Sequence, residues 1–152
     1  MARSSLLLNN NFFKMKNKNF WIKLSVFNLC AVAFLGMTLR SKMLFSIPFI
    51  DFNNLSNAHS HFAFGGWVTL SLLFLMVNQL LPHATAKEKI YKWLLAGIVL
   101  CSWFMLLSFY FLGNGSVSNF ISFFFIFLTY VFGWKFINTT PARIAKLISP
   151  RG

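Results

Sequence analysis

The chain has 152 residues, of which 57% are hydrophobic and 11% are charged, and its formal net charge is +12. A soluble domain is about half apolar and about a quarter charged, so this composition argues against a soluble protein. The positive charge does not indicate nucleic-acid binding, because the basic residues lie in gaps between apolar blocks. The only two acids, Asp51 and Glu88, fall in different loops, which argues against catalysis by paired carboxylates.

Four apolar blocks follow a polar, basic N-terminal tail at residues 1–19. Blocks of about 18 or more apolar residues with few charges predict membrane-spanning helices. The predicted spans cover about 20–39, 58–81, 90–112 and 117–136, and residues 137–152 form a basic C-terminal tail. The expected fold is therefore an all-α integral membrane protein, with four transmembrane helices in an up-and-down bundle within the lipid bilayer.

The connections carry turn and cap signals. The linker after the first span contains Pro48 and ends in an Asn-rich stretch, and we expect it to lie along the membrane surface. Ser56 or Asn57 is the predicted N-cap of the second span, because their side chains can accept a hydrogen bond from a free backbone N–H. "GNGS", at residues 113–116, predicts a tight turn before the fourth span.

The distribution of Lys and Arg predicts the orientation. Of the fourteen basic residues, all but Arg40 and Lys42 fall on one side of the predicted membrane. The positive-inside rule therefore predicts that both termini are in the cytoplasm. His59 and His61 then lie at the outer end of the second span.

The sequence "SNAHSHFAFGGW", residues 56–67, contains the candidate site. On an α-helix His59 and His61 point about 200° apart, so they cannot chelate one metal as an i, i+4 pair does. Either each histidine has a different partner or only one is functional. Ionisable side chains inside a membrane usually mark a site, and neutral imidazole is a strong ligand for haem iron and copper. Both histidines are therefore candidate metal ligands.

Neighbouring residues complete the candidate site. Gly65 and Gly66 allow a helix or a flat macrocycle to approach the backbone, and Trp67 is positioned to form a wall of such a pocket. Arg40 would either anchor the first span at the interface or face the propionates of a haem. The competing interpretation is that the histidines are interfacial and bond only to water and headgroups.

The stretch "NAHSHFAFGGWVTLSLLFLMVNQLLP" resembles the second span of the large catalytic subunit of haem–copper oxidases and nitric-oxide reductases. In that family the N-terminus is cytoplasmic, and a histidine near the outer start of the second span ligates the low-spin haem. The span often closes near a proline. His59 or His61 and Pro82 match this arrangement. The stretch is also similar to that of uncharacterised bacterial membrane proteins with an "HAHSHFAFxGW"-type second span. This similarity implies that the membrane is a bacterial cytoplasmic (inner) membrane.

The resemblance implies haem as cofactor and a role in electron transfer. The family subunit has many more spans and ligating histidines than this chain, so we do not expect a complete oxidase. The chain would be the N-terminal part of a longer subunit, or would pair with another chain that supplies the missing ligands. In either case it is at most part of an oxidoreductase.

Two alternatives remain open. One is a four-helix membrane protein of structural, subunit or transport type with no cofactor. A transporter needs polar groups near the membrane midplane. The candidates can all bond their own backbone or a neighbouring helix: Asn28, Thr69, Ser71, Ser102 and Ser108. The other alternative, a metal-dependent membrane enzyme, is disfavoured because the chain has only three histidines.

Overall fold

The computed structural model of the protein describes residues 18–45, 47–81 and 89–148, with side chains described as far as residue 139. Within these residues the chain forms helices and no strands. The helices are α1 (Lys18–Leu44), α2 (Phe52–Leu80), α3 (Lys89–Leu112) and α4 (Ser116–Ile148). All four contain a segment long and apolar enough to cross a membrane, which confirms the prediction of an all-helical membrane protein.

The helices extend beyond the predicted spans. α1 continues to Leu44, and α2 already begins at Phe52. The N-cap of α2 is Asp51, whose Oδ1 accepts a hydrogen bond of 2.8 Å from the backbone N–H of Asn54. The prediction of a cap at Ser56 or Asn57 is therefore wrong, because both residues lie inside the helix.

Linkers join α2 to α1 on one side and to α3 on the other. The linker from α1 is short, and the ammonium group of Lys42 donates a 3.0 Å hydrogen bond to the carbonyl of Ile47 within it. The linker from α2 to α3, including Pro82, His83 and Glu88, lies outside the described residues, as do residues 1–17 of the predicted N-terminal tail. At the far end, α4 continues to Ile148, into the segment predicted as a basic tail.

The α2 helix is not uniformly α-helical. Its α-helical parts, Phe52–Phe62 and Leu70–Leu75, alternate with π-helical segments at Ala63–Thr69 and Met76–Leu80. A π-helix bonds each N–H to the carbonyl five residues back, and such segments are frequent at functional sites. The first π segment contains "FGGW", so Gly65, Gly66 and Trp67 lie where the backbone of α2 is wider than an α-helix. Both histidines lie in the α-helical part before it.

The α3 helix is at the centre of the bundle. Half of the residues in its 18-residue apolar stretch are buried inside the protein, compared with 6% in the corresponding stretches of α1 and α4. Large apolar side chains cover the outer surfaces of α1 and α4, including Phe34, Phe120 and Phe123, each about 70% exposed. Water would not solvate a surface of this kind favourably, so these faces contact lipid.

Two apolar clusters hold the helices together. One brings the start of α1 and the end of α2 against the start of α3 and the later part of α4, through Trp21, Val77, Tyr91 and Phe132. The other brings the start of α2 against the end of α3, through Ala58, Phe62, Met105 and Phe109. The second cluster includes Ala58 and Phe62, which precede and follow the two histidines in α2, and so it fixes the part of α2 that carries them.

The predicted turn between α3 and α4 is confirmed. Gly113 has φ of 66°, and its N–H donates a hydrogen bond of 3.1 Å to the carbonyl of Phe109. This left-handed conformation favours glycine. The turn also packs against the start of α2, because a Cβ at Gly113 would lie 2.7 Å from Oδ1 of Asn54.

Candidate functional site

The two histidines lie against different helices. The His59 imidazole packs on α1, with its Cε1 3.4 Å from the position that a Cβ of Gly36 would occupy. The His61 imidazole packs on α3, stacked on the ring of Phe109 with a centroid distance of 4.1 Å and an interplanar angle of 7°. The spacing of two residues on a helix therefore does separate the two rings.

His59 lies between two helices. The residue is half-buried, and its Nδ1 is buried with no hydrogen-bond partner among the described residues. The Cε1–Nε2 edge of the ring faces Gly36, at 3.4 and 3.9 Å from its Cβ position. A macrocycle bound at this edge would displace α1. A metal-bound histidine usually donates its other N–H to a carbonyl or carboxylate, and Nδ1 of His59 has no such acceptor.

His61 has more space. It is exposed at the surface of the bundle and borders a groove of about 270 Å³ between α2, α3 and α4. The groove lies over Gly65 and Met105, with Phe125 as a wall from α4. Its remaining lining residues are Ser60, Phe64, Ser122 and Ile126. The hydroxyl groups of Ser60 and Ser122 donate to the carbonyls of Ser56 and Ser118 in their own helices, so the His61 imidazole is the principal polar group with a free edge here.

The two glycines make close packing possible. A Cβ at Gly65 would lie 3.1 Å from Oγ of Ser102 and 3.2 Å from both Met105 and Phe125. A Cβ at Gly66 would lie 2.6 Å from the ring of Phe62 in the same helix. The space left by the missing side chains is therefore already filled by groups of this chain.

The other predicted site residues lie at different distances from the groove. Trp67 is half-buried and is not among the residues lining the groove. Arg40 is exposed, four residues after Gly36, so it shares the α1 face that contacts His59. Since His59 and His61 lie on opposite sides of α2, Arg40 is not next to the His61 groove.

Sequence reasoning missed the residues that these groups contact. Gly36 lies in an apolar stretch with no distinguishing signal, and Phe109 is one of 21 phenylalanines. Asn28 is a polar residue in an apolar span, which the sequence alone does show. It is fully buried, and its side-chain N–H donates to the carbonyl of Gly66 at 2.5 Å, while its Oδ1 has no partner among the described residues.

Three of the membrane-embedded hydroxyl groups bond their own backbone or a neighbouring helix, as expected: those of Ser71, Ser102 and Ser108. Ser71 shares a hydrogen bond of 2.7 Å with Ser25 across the α1–α2 interface. Ser102 and Ser108 donate to carbonyls of their own helix, those of Ile98 and Met105. Within the described ranges no group of three or more His, Cys, Asp or Glu residues is positioned to hold a metal ion.

Fold and site together define a class: an integral membrane protein with four helices long and apolar enough to cross the bilayer, and a histidine at a groove near the start of the second helix. No protein-family model, curated protein or solved structure matches the chain.

Proposed function

We propose that the protein is a four-helix protein of the bacterial cytoplasmic membrane that ligates haem through His61 and takes part in electron transfer. One observation carries this proposal. The His61 imidazole is held flat against Phe109 at the edge of an apolar groove, without a hydrogen bond to the described residues. A neutral imidazole in such surroundings is a good iron ligand.

The proposed orientation has both termini in the cytoplasm, in an up-and-down bundle. The two apolar clusters support it, because one joins the start of α1 to the start of α3 and the other joins the start of α2 to the end of α3. Most Lys and Arg residues lie at the end of the bundle that holds the starts of α1 and α3, which supports a cytoplasmic location for that end. His61 is then near the outer surface of the membrane.

The residues of the groove suit a macrocycle only in part. Phe64, Phe125 and Ile126 offer apolar contacts for the ring, and the stacking on Phe109 fixes the orientation of the His61 imidazole. A groove of about 270 Å³ is slightly smaller than a typical ligand pocket, which has roughly 300–1,000 Å³. The chain alone would therefore cover one part of a haem and supply one ligand.

The second axial ligand would come from further transmembrane helices, of the same polypeptide or of another subunit. The resemblance of residues 57–82 to the second span of haem–copper oxidase subunits supports this arrangement. When bound, haem would supply a one-electron carrier, and this chain would contribute ligation, burial and orientation. His59 and Arg40 have no part in the proposed site.

An absorption spectrum of the purified protein tests the proposal. We expect a Soret band that the substitution His61→Ala removes. His59→Ala is the matched control, since it removes the same side chain two residues away on the other side of α2, and it should leave the band in place. If only His59→Ala removed the band, the haem ligand would be His59 and the proposal of His61 would be wrong.

The alternative is a cofactor-free membrane protein of structural, subunit or transport type. The observation that favours it is the packing of His59, Gly65 and Gly66, all of which contact other groups of this chain. Wild-type protein expressed with an ample haem supply and still lacking a Soret band would support this alternative over haem ligation.

A further inference from the structure

The end of the bundle opposite the histidines carries a cluster of lysines. Lys92 lies one residue after Tyr91, whose hydroxyl donates a 3.2 Å hydrogen bond to Thr139 of α4. Five lysines of the described chain lie near this end: Lys18, Lys23, Lys89, Lys92 and Lys135. The described part of the chain contains one carboxylate, Asp51, and it caps α2 at the other end of the bundle. Glu88 lies outside the described residues.

A groove of about 300 Å³ opens at this end of the bundle. It runs between the first turn of α1 and the first two turns of α3. Among the described residues, Lys92 contributes the one charged side chain of its lining, which also includes Phe20, Trp21, Trp93 and Ala96. Trp21 is 7% exposed and belongs to the apolar core, whereas Trp93 is 76% exposed.

The composition of the groove matches one class of ligand. Tryptophan side chains prefer the headgroup level of a membrane, where an apolar ring and a polar N–H are both accommodated. Basic pockets between transmembrane helices bind anionic headgroups. An acyl chain would extend past Ala96 between α1 and α3, with the phosphate beside the ammonium group of Lys92.

We propose that this Lys92 groove is a binding site for an anionic phospholipid. The excess of lysines over carboxylates favours an anionic lipid over a zwitterionic one, because the cation of a zwitterionic headgroup would be repelled. The proposal is independent of haem ligation, since it involves neither histidine nor any residue of the His61 groove.

Native mass spectrometry of the detergent-purified protein tests this site, with phosphatidylglycerol and phosphatidylcholine as the probes. We expect more bound phosphatidylglycerol than phosphatidylcholine. A basic residue near a membrane surface contributes about 1 kcal/mol, so Lys92→Gln should lower phosphatidylglycerol binding about fivefold. Lys135→Gln is the matched control, because it removes the same charge at the same end but does not line the groove.

A second pair of variants tests the groove apart from its charge. Trp93→Ala should also lower phosphatidylglycerol binding, whereas Trp134→Ala, at a side chain of similar exposure on α4, should not. Both tryptophans are on the surface, so neither change disturbs the core. Equal losses in Lys92→Gln and Lys135→Gln, equal binding of the two lipids, or no effect of Trp93→Ala would each overturn the proposal.

Discussion

Replacing the paired glycines of α2 by alanine tests whether they serve helix packing. The Cβ of Gly66→Ala would lie 2.6 Å from a ring carbon of Phe62. Carbon atoms pack best at roughly 3.5–4.0 Å, so the ring would have to move by about 1 Å. Phe62 has no exposed surface, and its ring centroid lies 4.8 Å from that of Trp103. The Phe62 ring therefore has little room to move.

The cost of this substitution follows from overpacking. An extra methyl group in a well-packed core costs about 1–3 kcal/mol, and we expect Gly66→Ala near the upper end. Gly65→Ala meets Ser102, Met105 and Phe125 at 3.1–3.2 Å, a misfit of only about 0.3 Å, so its cost should be near 1 kcal/mol. The matched control is Gly133→Ala in α4, where a Cβ would have nothing within 4 Å.

The free energy of unfolding in mixed detergent micelles measures these effects. The expected order of stability is Gly133→Ala, then Gly65→Ala, then Gly66→Ala, with the last about 2–3 kcal/mol below the control. The control should be neutral or slightly more stable than wild type, because alanine is the better helix former. If Gly66→Ala were as stable as Gly133→Ala, Phe62 would not be held where the structure has it and the packing argument would fail.

Two further substitutions test the ends of the helices by the same measurement. Asp51→Ala should lower the free energy of unfolding by about 1 kcal/mol, because the backbone N–H of Asn54 loses its acceptor. Asp51→Asn should retain most of the stability, because asparagine is also a good N-cap. Equal losses in the two variants would mean that the cap is not the cause. Gly113→Ala should cost roughly 1–2 kcal/mol because of the left-handed backbone, and more because of the contact with Asn54. Gly115→Ala is the control and should be tolerated, because its Cβ would meet only a carbonyl oxygen at 3.8 Å.

The sequence predicted the helices well because hydropathy is a local property. Each apolar block corresponds to one helix, and "GNGS" to the one positive-φ turn of the described chain. The sequence does not predict the start of α2, because "FNNLSN", residues 52–57, is polar. The helix forms there because Asp51 caps it and because Leu55, 2% exposed, is buried in the bundle. Tertiary contact, which hydropathy does not report, determines this boundary.

The sequence predicts only those features of the site that follow from the geometry of a single helix. The spacing of His59 and His61 on a helix separates the two rings, and that much follows from helix geometry. Which helix each ring meets depends on packing. Gly36 gives His59 its place because it lacks a side chain, and Phe109 gives His61 a flat surface. Neither residue type is distinctive in a membrane helix, so no pattern in the sequence identifies these partners.

The two proposed sites are far enough apart to be tested against each other. Lys92 and Phe109 are 17 residues apart on α3, which corresponds to about 25 Å along a helix. His61 packs on Phe109, so its groove and the Lys92 groove lie at opposite ends of the bundle. His61→Ala should therefore leave phosphatidylglycerol binding unchanged, and Lys92→Gln should leave the Soret band unchanged. If either variant alters both measurements while the free energy of unfolding stays at the wild-type value, the two sites are coupled, and the assignment of one ligand to each end is wrong.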